Sequence, residues 1–143
     1  MMHLRPRRRS SSEKIYVDIN VLYYYLTAHQ EFGERTKTHI ARWSGNLVTS
    51  SLSAWILYVL TGLENIASIL DEVGIELVPL TASVLSIAEK LEKPRDYEDR
   101  IHLATMLELG IDTIISNDRD FDGLRGSKGC FNIVVRSRRI SRC

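Results

Sequence analysis

Short runs rich in β-branched residues alternate with helical patterns along this chain, and that alternation narrows its fold more than any other feature. The runs are Lys14–Asp18 (KIYVD), Asn46–Ser50 (NLVTS), Ile75–Leu80 (IELVPL), Asp112–Ser116 (DTIIS) and Phe131–Val135 (FNIVV). Each is too short for a stable helix, and its Ile, Val and Thr content suits a pleated strand. Between them the spacing predicts helices over 21–31, 34–43, 52–61, 63–72, 82–92 and an amphipathic one over 97–109. Gly33, Gly62, Gly74 and Gly110 punctuate these helices, Ser51 or Ser53 and Thr81 stand where caps belong, and Pro94 stops the fifth. Such an order implies right-handed crossovers and a parallel sheet covered on both faces. The expected fold class is α/β: a three-layer sandwich with a central parallel sheet of about five strands flanked by helices.

At 143 residues the chain fits one domain with a core of its own. A composition of 44% hydrophobic and 26% charged residues is that of an ordinary globular domain, and the net charge of +1 points to no particular partner. The placement of charge says more. Arg5, Arg7, Arg8 and Arg9 crowd one end, and Arg136, Arg138, Arg139 and Arg142 the other. The expected organisation is a basic N-terminal tail over 1–13, the α/β domain over 14–136, and a basic C-terminal tail over 137–143. Basic tails can touch phosphates or can be solvated chain ends, and both readings stand at this point. Cys130 and Cys143 have neither zinc-finger spacing nor the number of a disulfide framework. No apolar run reaches membrane-spanning length, and no apolar stretch follows the N-terminal arginines as in a secretory signal. No membrane partner and a cytoplasmic location are expected.

Two of the strands end in acid. The first delivers Asp18 at its C-terminal end, and the fourth leads into Asn117-Asp118-Arg119-Asp120-Phe121-Asp122. Open parallel sheets form their sites outside the carboxyl ends of the strands. Asp99 lies in the first turn of the helix that feeds the fourth strand, so it belongs to the same pole. Carboxylates gathered on one rim repel each other unless a cation intervenes. Hard divalent ions such as Mg²⁺ and Mn²⁺ prefer oxygen ligands and retain waters that can attack a phosphodiester. Each acid also has a plainer role. Asp18 can cap the helix after it, Asp99 can answer the helix dipole, and Asp118, Asp120 and Asp122 can shape a turn. Asp118-x-Asp120-x-Asp122-Gly123 has the front of a calcium loop, but its twelfth position is Gly129 and offers no carboxylate.

Other residues read as structural. His102, one helical turn after Asp99, is expected to pack or make a structural hydrogen bond, with contact to a phosphate or rim carboxylate as the functional counterpart. His29 and His39 read as surface positions. Tyr23, Tyr24 and Tyr25 point three ways from one helix and are expected to serve the core and a dimer contact. Trp55, Leu52, Leu57, Tyr58 and Leu60 belong to core or interface. No phosphate-binding glycine loop or nucleophile elbow is present.

Taken in order, Val17-Asp18-Ile19-Asn20-Val21-Leu22, Val48-Thr49-Ser50-Ser51-Leu52, Tyr97-Glu98-Asp99-Arg100-Ile101-His102-Leu103-Ala104 and Ile114-Ile115-Ser116-Asn117-Asp118-Arg119-Asp120-Phe121-Asp122 resemble the four motifs of a PIN domain, the fold of VapC-type toxin ribonucleases. The resemblance spans Lys14 to about Val135. It implies a Mg²⁺- or Mn²⁺-dependent ribonuclease that cuts single-stranded RNA, with Asp18, Asp99 and Asp118 as metal carboxylates and Asp120 as a further catalytic acid. Asn20, Ser50, Ser51 and Asp122 would be polar support at the rim. It further implies a homodimer and an antitoxin partner whose segment blocks the cleft. One position departs from the pattern: Ile56 stands where the family places a glutamate, and no glutamate occurs anywhere in 35–63. That departure opens a second reading, a weakened or inactive relative that binds RNA or protein. A phosphotransfer receiver is a third, but the first strand lacks paired acids and no lysine follows the last.

Overall fold

The computed structural model describes residues 14–116 throughout and the backbone of four short strands beyond them. The elements in chain order are β1 (Ile15–Val17), α1 (Ile19–Thr27), α2 (Gly33–Trp43), β2 (Leu47–Ser50), α3 (Ser51–Thr61), α4 (Ile66–Val73), β3 (Ile75–Val78), α5 (Ala82–Lys90), α6 (Tyr97–Leu109), β4 (Thr113–Ile115), β5 (Arg125–Gly126), β6 (Gly129–Cys130), β7 (Asn132–Val135) and β8 (Arg138–Ser141). The main sheet runs β3-β2-β1-β4-β7-β8. Its first five strands are parallel, as expected, and β8 closes the far edge antiparallel to β7. The stretch expected as a C-terminal tail, 137–143, thus contributes an edge strand. Its sequence Arg-Arg-Ile-Ser has no apolar alternation, so the backbone ladder to β7 is what defines it. The β5–β6 hairpin is a separate two-stranded unit. The proposed N-terminal tail, 1–13, lies outside the described residues. No helix among the described residues is long and apolar enough to cross a membrane.

Alternation along each strand sends side chains to two layers. Ile15, Val17, Leu47, Ile75 and Ile115 join Leu22, Ile40, Leu57 and Leu70 of α1, α2, α3 and α4 in one core. Tyr16, Val48, Val78 and Ile114 face the other way, against Leu103 and Met106 of α6. A third cluster, Val84 and Ala88 with Ile101 and Ala104, packs α5 onto α6. Because α6 is covered by the sheet on one side and α5 on another, every residue from Ile101 to Met106 is buried. That differs from the amphipathic pattern expected for 97–109, and it takes in the polar His102 and Thr105. Thr105 answers burial by donating its hydroxyl to the Ile101 carbonyl at 2.7 Å.

Chain direction reverses across the sheet between β1 and β4. From β1 the chain builds outward through β2 and β3, then crosses back to β4 and β7. The crevice at such a switch point, at the carboxyl ends of the strands, is where open α/β sheets bind ligands. The opposite pole is closed tightly. Gly74 caps α4 with φ +90°, and a Cβ there would lie 2.3 Å from Ser44 Oγ. Ser44 Oγ instead donates to the Val73 carbonyl at 2.7 Å, and Gly45 N–H to the Gly74 carbonyl at 3.0 Å.

Candidate functional site

Asp18 follows β1 directly, at the switch point. Helix α1 begins at Ile19, two residues before the expected start, because Asp18 serves as its N-cap: one carboxylate oxygen accepts the Ile19 N–H at 2.8 Å. The other accepts the hydroxyl of Ser116, at the end of β4, at 2.9 Å. Asp18 N–H in turn donates to the Ile115 carbonyl at 3.0 Å. Asp18 is only 1% exposed, and Ser116 is fully buried. Its capping role and its place in the crevice are therefore both real, and neither excludes the other. Asn20 is exposed in the first turn of α1, on the same rim.

Asp99 sits in the first turn of α6, buried at 8% exposure, while Asp96 caps that helix by accepting the Glu98 N–H at 2.8 Å. Helix α6 meets β1 through His102, whose Nδ1 lies 2.5 Å from the Tyr16 hydroxyl. From that contact, two residues along β1 lead to Asp18 and three along α6 lead back to Asp99. Both paths run toward the pole where the strands end, so Asp18 and Asp99 stand at the same end of the sheet.

Ser50 and Ser51 close the same pole at the β2–α3 junction. Ser50 caps α3 by accepting the Leu52 N–H at 3.0 Å, and Ser51 Oγ accepts the Leu80 N–H at 3.1 Å. Beneath them Thr49 donates to the Val17 carbonyl at 3.0 Å and bonds Ser53 at 2.8 Å. These hydroxyls fix backbone where strands meet helices. Sequence reasoning missed Ser116 and Tyr16; Ser116 carried a signal, since it ends a strand adjacent to β1 and precedes the acidic run.

The described rim offers hard oxygen donors, the carboxylates of Asp18 and Asp99 and the hydroxyl of Ser116. Both ring nitrogens of the nearby histidine are engaged, Nδ1 with Tyr16 and Nε2 with Glu98 at 3.1 Å. That donor chemistry fits Mg²⁺ or Mn²⁺ better than a nitrogen- or sulfur-seeking ion. Among the described residues no group of three or more acids, histidines or cysteines gathers at metal-binding distance. Asp118, Asp120 and Asp122, the acids expected to complete the set, lie outside the described residues. Ile56, at the expected glutamate position, is half-buried and packs against the first core.

Other sequence expectations resolve locally. His102 is fully buried and hydrogen-bonded, as expected for a structural role. His29, read as a surface residue, instead accepts the N–H groups of Glu31 and Phe32, both at 3.1 Å, and so shapes the α1–α2 turn. Tyr23 and Tyr25 pack on the first core, while the Tyr24 ring meets His29 and Phe32. Leu57 is core, but Trp55, Val59, Leu60 and Leu63 are exposed, Trp55 at 61%. Beside them Ala54, Trp55, Tyr58, Leu63, Ile66 and Ala67 line an open groove of about 480 Å³.

A family model described as PIN domain matches residues 15–126 of the chain. Among curated proteins none matches. Solved structures share the fold at low identity. A toxin–antitoxin complex from Klebsiella pneumoniae is similar with a TM-score of 0.65 and 16% identity, over 86% of this chain and 98% of that one. VapC20 of Mycobacterium tuberculosis, described as a sarcin-ricin loop cleaving toxin, gives 0.57 and 18%, over 71% and 87%. VapBC2 from Rickettsia felis, bound to a DNA fragment from its promoter, gives 0.57 and 16%, over 83% and 98%.

Proposed function

The chain belongs to the PIN domain family, and from that premise we propose that it is a divalent-metal-dependent ribonuclease that cuts single-stranded RNA, acting as the toxin of a toxin–antitoxin pair in the cytoplasm. The observation that carries this reading is the buried Asp18 at the β1–β4 switch point, held by the Ser116 hydroxyl and the Ile19 N–H. A carboxylate costs free energy to bury, and a divalent cation at the crevice mouth would lower that cost.

Asp18 and Asp99, with Asp118 from the segment after β4, would hold Mg²⁺ or Mn²⁺. When bound, such an ion would supply an activated water and charge neutralisation at the scissile phosphate. Asp120 would act as a further acid at the same rim, with Asn20, Ser50, Ser51 and Asp122 as polar support. Lys93 and Arg95 are exposed in the loop that enters α6, at the pole that carries Asp99, and suit contact with RNA phosphates. The chain is expected to cut single-stranded RNA when Mn²⁺ or Mg²⁺ is added and to stop with a chelator. Cleavage no faster than that of Asp99→Asn, or cleavage indifferent to the chelator, would overturn the reading.

Ile56 favours a second reading, a PIN-fold protein that binds RNA or a protein without cutting. A side chain packed into the core at the acid's position leaves fewer anionic ligands for an ion. RNA binding that survives the chelator, with no cleavage, is its signature.

A protein partner accounts for the exposed apolar surface of α3, since contiguous apolar patches mark interaction sites. We assign that surface to a homodimer contact and the acidic crevice to an antitoxin segment. Light scattering is expected to give twice the mass of one chain for the wild type and a single mass for Trp55→Lys. A monomeric wild type, or a variant that still dimerises, would remove this assignment.

A further inference from the structure

Tyr16 and His102 are both fully buried and join β1 to α6 in the interior, away from solvent. Their rings lie 5.5 Å apart between centroids, tilted by 58°, with the hydroxyl against Nδ1. The Tyr16 oxygen also accepts the Ser50 N–H at 3.2 Å. On the other side of the hydroxyl stands His102 Nδ1, and the second ring nitrogen, Nε2, lies 3.1 Å from Glu98 Oε2. One phenol thus ties three elements: β1, the β2–α3 junction and α6.

Each tie is one short step from a rim residue. Tyr16 lies in β1 two residues before Asp18, which follows the strand directly and caps α1. His102 lies one helical turn after Asp99 on α6, and Ser50 is itself on the rim. Ordinary apolar packing would hold α6 to the sheet while allowing it to slide, because hydrophobic contact is non-directional. A buried hydrogen bond between two rigid rings does not slide. Leu103 and Met106 supply the adhesion, and the Tyr16–His102 bond supplies the register.

We propose that Tyr16 and His102 are positioning residues for the metal site: their hydrogen bond fixes the separation of Asp18 and Asp99 and thereby sets the affinity for a divalent ion. This rests on the reading of those two aspartates as ligands. Outer groups that orient metal carboxylates and imidazoles are worth roughly 10–100-fold in affinity when removed. The bond here acts through the backbones of β1 and α6 rather than on a ligand atom, so the lower end of that range applies.

The test is Mn²⁺ binding by calorimetry, read beside the melting temperature, on the full chain. Tyr16→Phe and His102→Leu are each expected to weaken Mn²⁺ binding roughly tenfold. His102→Asn keeps an acceptor close to the Nδ1 position and should recover affinity to within about threefold of wild type. Leu70→Ala is the control for mere destabilisation: it lies on the far core, near the closed pole, and should lower the melting temperature with Mn²⁺ affinity unchanged. Wild-type affinity in Tyr16→Phe, or equal losses in Leu70→Ala and Tyr16→Phe, would overturn the proposal. Should Tyr16→Phe not fold, His102→Leu against His102→Asn decides it, and equal affinities for those two would be fatal. An Asp18→Asn variant separates the premise from the inference. If it binds Mn²⁺ like wild type, the site assignment fails and the positioning role goes with it. If it loses Mn²⁺ while Tyr16→Phe does not, only the positioning role fails.

Discussion

Asp18→Asn is expected to lower RNA cleavage by roughly 100-fold or more while leaving the protein folded. The substitution preserves shape. The amide oxygen of the introduced side chain can still accept the Ile19 N–H, and its NH₂ can meet the Ser116 hydroxyl, which rotates to accept instead of donate. What disappears is a full negative charge in a site nearly closed to solvent. Burying a charge is costly without an ion, so the neutral side chain should leave the melting temperature of the metal-free protein level or raised. The same substitution should remove the upward shift that Mn²⁺ gives the wild type, because a ligand stabilises only what it binds. The measurement is a paired one, initial cleavage rate and melting temperature with and without Mn²⁺. Retained cleavage with the wild-type metal response would show that Asp18 is a helix cap and nothing more.

That choice between cap and ligand was visible in the sequence because Asp18 ends a β-branched run and precedes a helix. Alternation alone put Asp18 and Asp99 at one pole, since a helix that feeds a parallel strand must begin where the strands end. Local pattern could not supply the tertiary register. His102 was expected to pack or make a structural hydrogen bond, but nothing in Tyr16 or His102 taken singly announces that the bond joins residues 86 apart. Strand β8 was illegible for a different reason. Its run of arginines argues against a strand, yet an edge position lets backbone pairing override composition. His29 was missed because a turn's acceptor is indistinguishable in sequence from a solvated side chain. Ile56 was read as a departure from the family's acid; the structure adds that this side chain is half-buried against the first core, where a glutamate would need a partner.

Leu70→Ala is expected to act in the opposite sense from Asp18→Asn. Leu70 is fully buried where α4 meets the sheet, among Ile66, Leu57 and Ile75. Truncation removes its buried carbons and leaves a cavity that well-ordered neighbours close only in part, a loss of about 3 kcal/mol. For a domain of this size that lowers the melting temperature by roughly 10 °C. The residue lies on the α1–α4 core, one helical turn from the Gly74 cap at the pole opposite the crevice. No hydrogen bond of Asp18, Ser116, Tyr16 or His102 described above passes through it. Cleavage measured well below the melting transition should therefore stay within about twofold of wild type, because additivity holds between sites that share no partners. A drop of less than about 1 kcal/mol in unfolding free energy would mean that the core collapses around the gap. A large loss of cleavage at unchanged folded fraction would mean that the two helical layers are coupled through the sheet. In that case the rim carboxylates could not be treated as a site carried by β1, β4 and α6 alone.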